Sequence, residues 1–140
     1  MRILEVDNYQ MLSELTASII EAQVLLNPDC VLGLATGSTP LGAYECIAED
    51  FREGMLDFSK VSTVNLDEYV GLSKNHHQSY RYFMNHNLFS KINVNKRKTH
   101  LPDGCAQDLQ QECEDYEALV EQLGYPDLQL LGIGHNGHIG

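Results

Sequence analysis

Apolar and polar positions along the chain change period several times, and each change marks the edge of a predicted element. Arg2 to Val6 is β-rich and is predicted as a short strand. Asp7 followed by Gln10 offers a capping box for a helix in which Leu12, Leu15, Ile19, Ala22 and Leu26 form one apolar stripe until Asn27-Pro28 stops it. Cys30 to Ala35 is a continuous apolar run, the pattern of a parallel strand covered on both faces, and it leads directly into Thr36-Gly37-Ser38-Thr39-Pro40. Ser38 or Thr39 can cap a helix there and Pro40 suits its first turn, with Leu41, Tyr44, Ile47, Ala48 and Phe51 facing inward up to Gly54.

The alternation continues. Val61 to Leu66 is a third β-rich run that ends abruptly at Asp67-Glu68-Tyr69, and a polar loop with His76 and His77 leads to a helix predicted from about Gln78 to Lys91. Asp108 to Gln122 is helical by spacing and is ended by Gly124, and Asp127 to Ile133 is a fourth apolar strand running into Gly134-His135-Asn136-Gly137-His138. Strands alternating with helices imply right-handed crossovers and an α/β fold: a doubly wound, mostly parallel sheet in a Rossmann-like three-layer arrangement. At 140 residues, with no internal repeat and no flexible linker, residues 1–140 are expected to form one domain.

In such sheets ligands bind outside the carboxyl ends of the strands. Three chemically loaded segments fall at predicted strand ends: Thr36 to Thr39, Asp67 to Tyr69, and His135 to His138. The turn Thr36-Gly37-Ser38-Thr39 could hold a phosphate on helix N-terminal amides and hydroxyls, although it is neither a Walker loop nor GxGxxG and also reads as a plain helix cap. Asp67 and Glu68 form either a solvated turn or a general base whose carboxyl is raised by partial desolvation. His135 and His138 are spaced H-x-x-H, but zinc sites with that spacing want a helix and further ligands, so no metal is expected. The functional reading is a glycine-freed loop round a small ligand with one imidazole shuttling protons, and the alternative is a surface turn.

Charge narrows the partners. Twenty acidic against nine basic residues give a formal charge of −11, which repels nucleic-acid backbones and anionic membranes at long range. No run reaches the roughly 18 apolar residues of a membrane span, and the N-terminus turns acidic where a signal peptide would be apolar, so a cytoplasmic protein is expected. Cys30, Cys46, Cys105 and Cys113 lack CxxC spacing and are read as idle reduced thiols. The bases also stop early. No Lys or Arg follows Lys98, so an anion near the last segment must be held by backbone amides or by groups outside these residues.

LGLATGSTPLGAY, VNLDEYVGL followed by HHQSYRYFMNHNLF, and GIGHNGHIG resemble, in that order and spacing, the glucosamine-6-phosphate deaminase family. The resemblance runs from Val31 onward. The related 6-phosphogluconolactonases share the fold but typically carry Arg where this chain has Tyr69, which together with Val70-Gly71-Leu72 and Ser79-Tyr80 favours the deaminase. The resemblance implies conversion of glucosamine 6-phosphate and water to fructose 6-phosphate and ammonia, with no metal or organic cofactor. It makes Asp67 the base that moves a proton between C2 and C1. It makes His138 the group that assists ring opening, oriented by Asn136, and Thr36, Gly37, Ser38, Thr39 and Glu68 the substrate contacts.

Relatives of this type continue past the third motif with Phe-Asn-Glu-Pro, whose Glu pairs with the catalytic histidine, and supply phosphate-binding Arg and Lys from their C-terminal half. The chain is therefore read as the N-terminal portion of a deaminase, with little turnover expected of the 140 residues alone. Lactone hydrolysis and non-catalytic sugar-phosphate binding are the alternatives. An uncovered sheet edge would favour self-association, leaving room for a homo-oligomer.

Overall fold

Helix α1 (Tyr9–Leu26) precedes strand β1 (Val31–Leu34), and α2 (Leu41–Arg52) connects it to β2 (Ser62–Asn65). Helix α3 (Tyr80–Met84) continues as a π-helical turn, Asn85–Phe89, before β3 (Thr99–His100), α4 (Leu109–Gln122) and β4 (Leu128–Gln129). The computed structural model describes residues 2–139. The four strands form one parallel sheet in the order β3-β2-β1-β4, with Val31 opposite Ser62, Leu32 opposite Leu128 and Thr63 opposite Thr99. From β1 the chain steps outward to β2 and β3 and then returns to the other side of β1. The reversal between β1 and β4 makes the sheet doubly wound and opens a crevice there, outside the strands' carboxyl ends.

Both β1 and β2 are buried along their whole length, which is why the run at Cys30–Ala35 is apolar without alternation. Leu32 and Leu34 share the core with Ala17, Ile20 and Val24 of α1 and Tyr44 and Ile47 of α2. Among the described residues, no helix is long and apolar enough to cross a membrane.

Several expectations need correction. Arg2 to Val6 forms no strand: Ile3 and Leu4 are exposed, and β propensity without a neighbouring strand to pair with does not make one. Helix α1 starts one residue later than the capping box implies. Asn8 is its N-cap, accepting the Met11 amide at 2.9 Å, while the Gln10 side chain donates to Glu14. Its buried stripe is Ser13, Ala17, Ile20 and Val24, whereas Leu12, Ile19 and Leu26 are exposed. The close approach of α1 to α2 selects the small-residue face, since a Cβ on Gly42 would run into the Ser13 side chain.

The predicted helix at 78–91 changes to π geometry at Asn85, and the wider turn lets the consecutive residues Leu88 and Phe89 both reach the core. The fourth strand is only Leu128–Gln129, because the Asp127 carboxylate takes the Val31 amide at 2.8 Å and the chain leaves the sheet after Leu130. Strand β3, two residues long, has no period to detect and is absent from the sequence reading.

Candidate functional site

A cavity of about 370 Å³ opens at the β1/β4 reversal. Its walls come from the turn after β1, the start of the loop after β2, the segment after β4, and Leu12, Ser13 and Thr16 of α1. Thr36, Gly37, Ser38, Thr39, Asp67 and His138 all line it. Three segments far apart in the chain therefore converge on one space, as expected where strand ends meet in a doubly wound sheet.

The turn after β1 is built for exposed amides. Tyr44, fully buried in α2, donates its hydroxyl to the Ala35 carbonyl at 2.6 Å and accepts the Ala35 amide at 3.2 Å, which fixes where the strand ends. Gly37 then takes φ +99°, a left-handed backbone that glycine alone adopts without strain. Neither Ser38 nor Thr39 caps α2. Pro40 is the N-cap and offers no side-chain acceptor. The capping acceptor comes from another helix: Tyr9 Oη accepts the Gly42 amide at 2.9 Å and donates to the Ser38 and Thr39 carbonyls at 3.2 and 3.0 Å. The Ser38 and Thr39 hydroxyls thus stay free of the helix, at an N-terminus that favours anions.

Asp67 follows β2 by two residues and opens onto the cavity. Desolvation holds its carboxyl above the usual range, with the neighbouring His138 pulling it down and Glu68 pushing it up. A carboxylate so tuned is suited to abstracting a proton. Glu68 is placed differently from the expectation. Its two oxygens accept the amides of Tyr69 and Tyr80, each at 2.8 Å, and of Arg81 at 2.9 Å, so it clamps the loop to the first turn of α3 instead of facing the cavity.

His138 reaches the cavity on a tight turn in which Gly134 donates to the His138 carbonyl at 2.9 Å and Gly137 takes φ +81°. Asn136 Oδ1 accepts the His138 backbone amide at 3.1 Å and is outside the cavity wall. Its contact is with the main chain of the histidine. Among the described residues, no cluster of His, Cys, Asp and Glu has the arrangement of a metal site. The cavity wall contains no Lys or Arg, and Arg81, on the neighbouring helix, donates to Thr99 Oγ1 and the Thr99 carbonyl.

Sequence reasoning missed two residues. Tyr80 lines the cavity between the first two motifs, and Tyr9 holds the turn from α1. Tyr80 lies within a quoted motif, but only the fold shows that it faces the cavity. Tyr9 carries no signal beyond its place at a helix start.

Fold and cavity define an α/β protein with a crevice where its parallel strands end. The chain belongs to the glucosamine-6-phosphate isomerase/6-phosphogluconolactonase family, whose model matches residues 6–140. It is 55% identical over its whole length to a glucosamine-6-phosphate deaminase of Lachnoclostridium phytofermentans and 52% identical to one of a Thermoanaerobacter species. It spans only 59% and 55% of those relatives' lengths. Its structure is similar to that of a monomeric glucosamine-6-phosphate deaminase, with a TM-score of 0.97 at 45% identity over 99% of this chain and 58% of that one. A 6-phosphogluconolactonase of Thermotoga maritima shares the fold, at a TM-score of 0.79 and 24% identity over 99% of this chain and 62% of that one.

Proposed function

We propose that these residues form the front half of a glucosamine-6-phosphate deaminase site, which couples aldose-ketose isomerisation to loss of ammonia. The observation that carries this reading is the meeting of Asp67, His138 and the Thr36–Thr39 turn in one cavity. Hydroxyls and helix N-terminal amides at the turn suit a phosphate. Asp67, a raised carboxyl, would take the C2 proton of the opened amino sugar and return it to C1. His138 would assist opening of the pyranose ring, on a turn held by Asn136. The names of the 55% and 52% identical relatives support the same substrate.

A phosphate dianion held with no cation in the cavity wall is bound weakly, and phosphate recognition normally recruits Arg or Lys. We therefore infer little turnover by the 140 residues in isolation, with activity a property of the whole protein. The whole protein should release ammonia and fructose 6-phosphate from glucosamine 6-phosphate and leave 6-phosphogluconolactone unchanged. Lactone hydrolysis without ammonia would replace this reading with the lactonase one. Binding of the sugar phosphate without either reaction would make the protein a binding module.

A further inference from the structure

Five tyrosines lie at or near the cavity and the adjoining sheet, and three have their hydroxyls committed to backbone. Tyr9 holds the Ser38 and Thr39 carbonyls, Tyr44 the Ala35 carbonyl, and Tyr116 the Asn65 and His100 carbonyls at 2.8 and 3.1 Å. Tyr80 and its neighbour Tyr69 are the exceptions. The Tyr80 ring packs against Tyr69 with centroids 4.7 Å apart, and the partners of its hydroxyl are the side chains of Tyr69 and Thr36. Yet its position is closely set. Ser79 caps α3 by accepting the Tyr82 amide at 3.0 Å, and the Glu68 carboxylate holds the Tyr80 amide itself.

The side chain fixed in this way lines the same cavity as Thr36 and Asp67. Its phenol is pushed up to about 12, first by hydrogen bonding to the Tyr69 side chain, then by burial and by the charges of Tyr69 and Asp67, with hydrogen bonding to the Thr36 side chain opposing, so it stays a neutral O–H at any working pH. A neutral hydroxyl that interacts with both Thr36 of the turn and Asp67 is placed to meet the stretch of a ligand that joins a phosphate on the turn to a carbon at the base. In a sugar phosphate that stretch carries hydroxyls. We infer that Tyr80 is a substrate-binding residue whose hydroxyl hydrogen-bonds a sugar hydroxyl between the phosphate turn and Asp67. This deepens the proposed function and rests on its assignment of a sugar phosphate to the cavity.

The test is calorimetric titration of the whole protein and its Tyr80→Phe variant with two probes, inorganic phosphate and an open-chain hexitol 6-phosphate. The variant keeps the ring, and because no backbone carbonyl loses its donor, its urea midpoint should match that of the unsubstituted protein. Hexitol phosphate affinity should fall about fivefold to tenfold, the effect of one neutral hydrogen bond, with inorganic phosphate affinity unchanged within about twofold. Equal hexitol phosphate affinity in the two proteins overturns the inference. So does a parallel loss for both probes, which would place Tyr80's effect at the Thr36 turn. So does failure of the unsubstituted protein to bind the hexitol phosphate. Absence of ammonia release by the unsubstituted protein would overturn only the deaminase reading, because the titration decides Tyr80 without turnover.

Discussion

The Glu68 carboxylate accepts the Tyr80 amide at 2.8 Å across twelve positions of sequence. Glu68 directly follows Asp67, and the same carboxylate also holds the Tyr69 and Arg81 amides, so one side chain ties the loop after β2 to the first turn of α3. Two residues facing the cavity, Asp67 and Tyr80, take their spacing from it.

Glu68→Gln keeps the shape but replaces a charged acceptor of three amides with an amide that presents one acceptor oxygen and an unwanted donor. Charge-assisted bonds of this kind contribute about 1.5–3 kcal/mol each, and loss of a helix cap costs about 0.5–2 kcal/mol. With part of the bonding retained, the variant should be destabilised by about 1–3 kcal/mol, read from urea unfolding. Turnover of the whole protein should fall while affinity for inorganic phosphate, bound at the Thr36 turn, stays unchanged. A variant of unchanged stability would show that the clamp contributes nothing.

Asp67 has its carboxyl raised by desolvation, against a downward pull from His138. A raised folded-state value means that this group favours the fold at pH below its unfolded value, and that the benefit is lost as pH rises through the folded one. At neutral pH the ionised Asp67 thus sits at a disadvantage in the folded protein. Asp67→Asn should leave neutral-pH stability unchanged or slightly higher while lowering kcat by about 10²–10⁴-fold, the scale of a lost general base. Removing the histidine removes the downward pull, so His138→Gln should move the Asp67 carboxyl titration to higher pH, observed by NMR. A shift to lower pH would contradict the placement of His138 beside the base.

How much of this was readable beforehand depended on the range of the interaction. The turn at 36–39 and the Asp67 segment stand out in sequence because strand, turn and helix are consecutive there and glycine marks the left-handed residue. That they share a cavity follows from strand order, which the βαβ rules supply. The role of Glu68 was not readable, because it depends on a loop folding back to offer α3 amides to a carboxylate that resembles a substrate ligand. The buried face of α1 differs from its apolar stripe for a similar reason. Apolar content favours Leu12, Ile19 and Leu26, but the fit of Ser13 against Gly42 decides which face turns inward.

Tyr9 joins α1 to the turn through a single hydroxyl that accepts one amide and donates to two carbonyls. Tyr9→Phe leaves the Gly42 amide without its acceptor at the start of α2, where Pro40 supplies no substitute. The site is partly solvated, so the expected destabilisation is about 1–2 kcal/mol by urea unfolding. Loosening of the turn should also weaken inorganic phosphate binding several-fold in the whole protein. Tight phosphate binding by Tyr9→Phe would show that the turn holds its shape without α1.

Glu21 on α1 lies beside Asp50 on α2, so the α1–α2 contact is expected to respond to pH. Burial first, then the neighbouring Asp50 carboxyl, push the Glu21 carboxyl from 4.5 up to about 7. Because the folded value is raised, the stability this group contributes is fully present below the unfolded value and is lost as pH rises through about 7. The urea midpoint should therefore fall between about pH 5 and about pH 8. Glu21→Gln keeps a hydrogen-bonding side chain that cannot ionise, so it should match the unsubstituted protein at the lower pH and exceed it at the higher. Parallel pH profiles for the two proteins would show that the Glu21 carboxyl is not what makes the α1–α2 contact sensitive to pH.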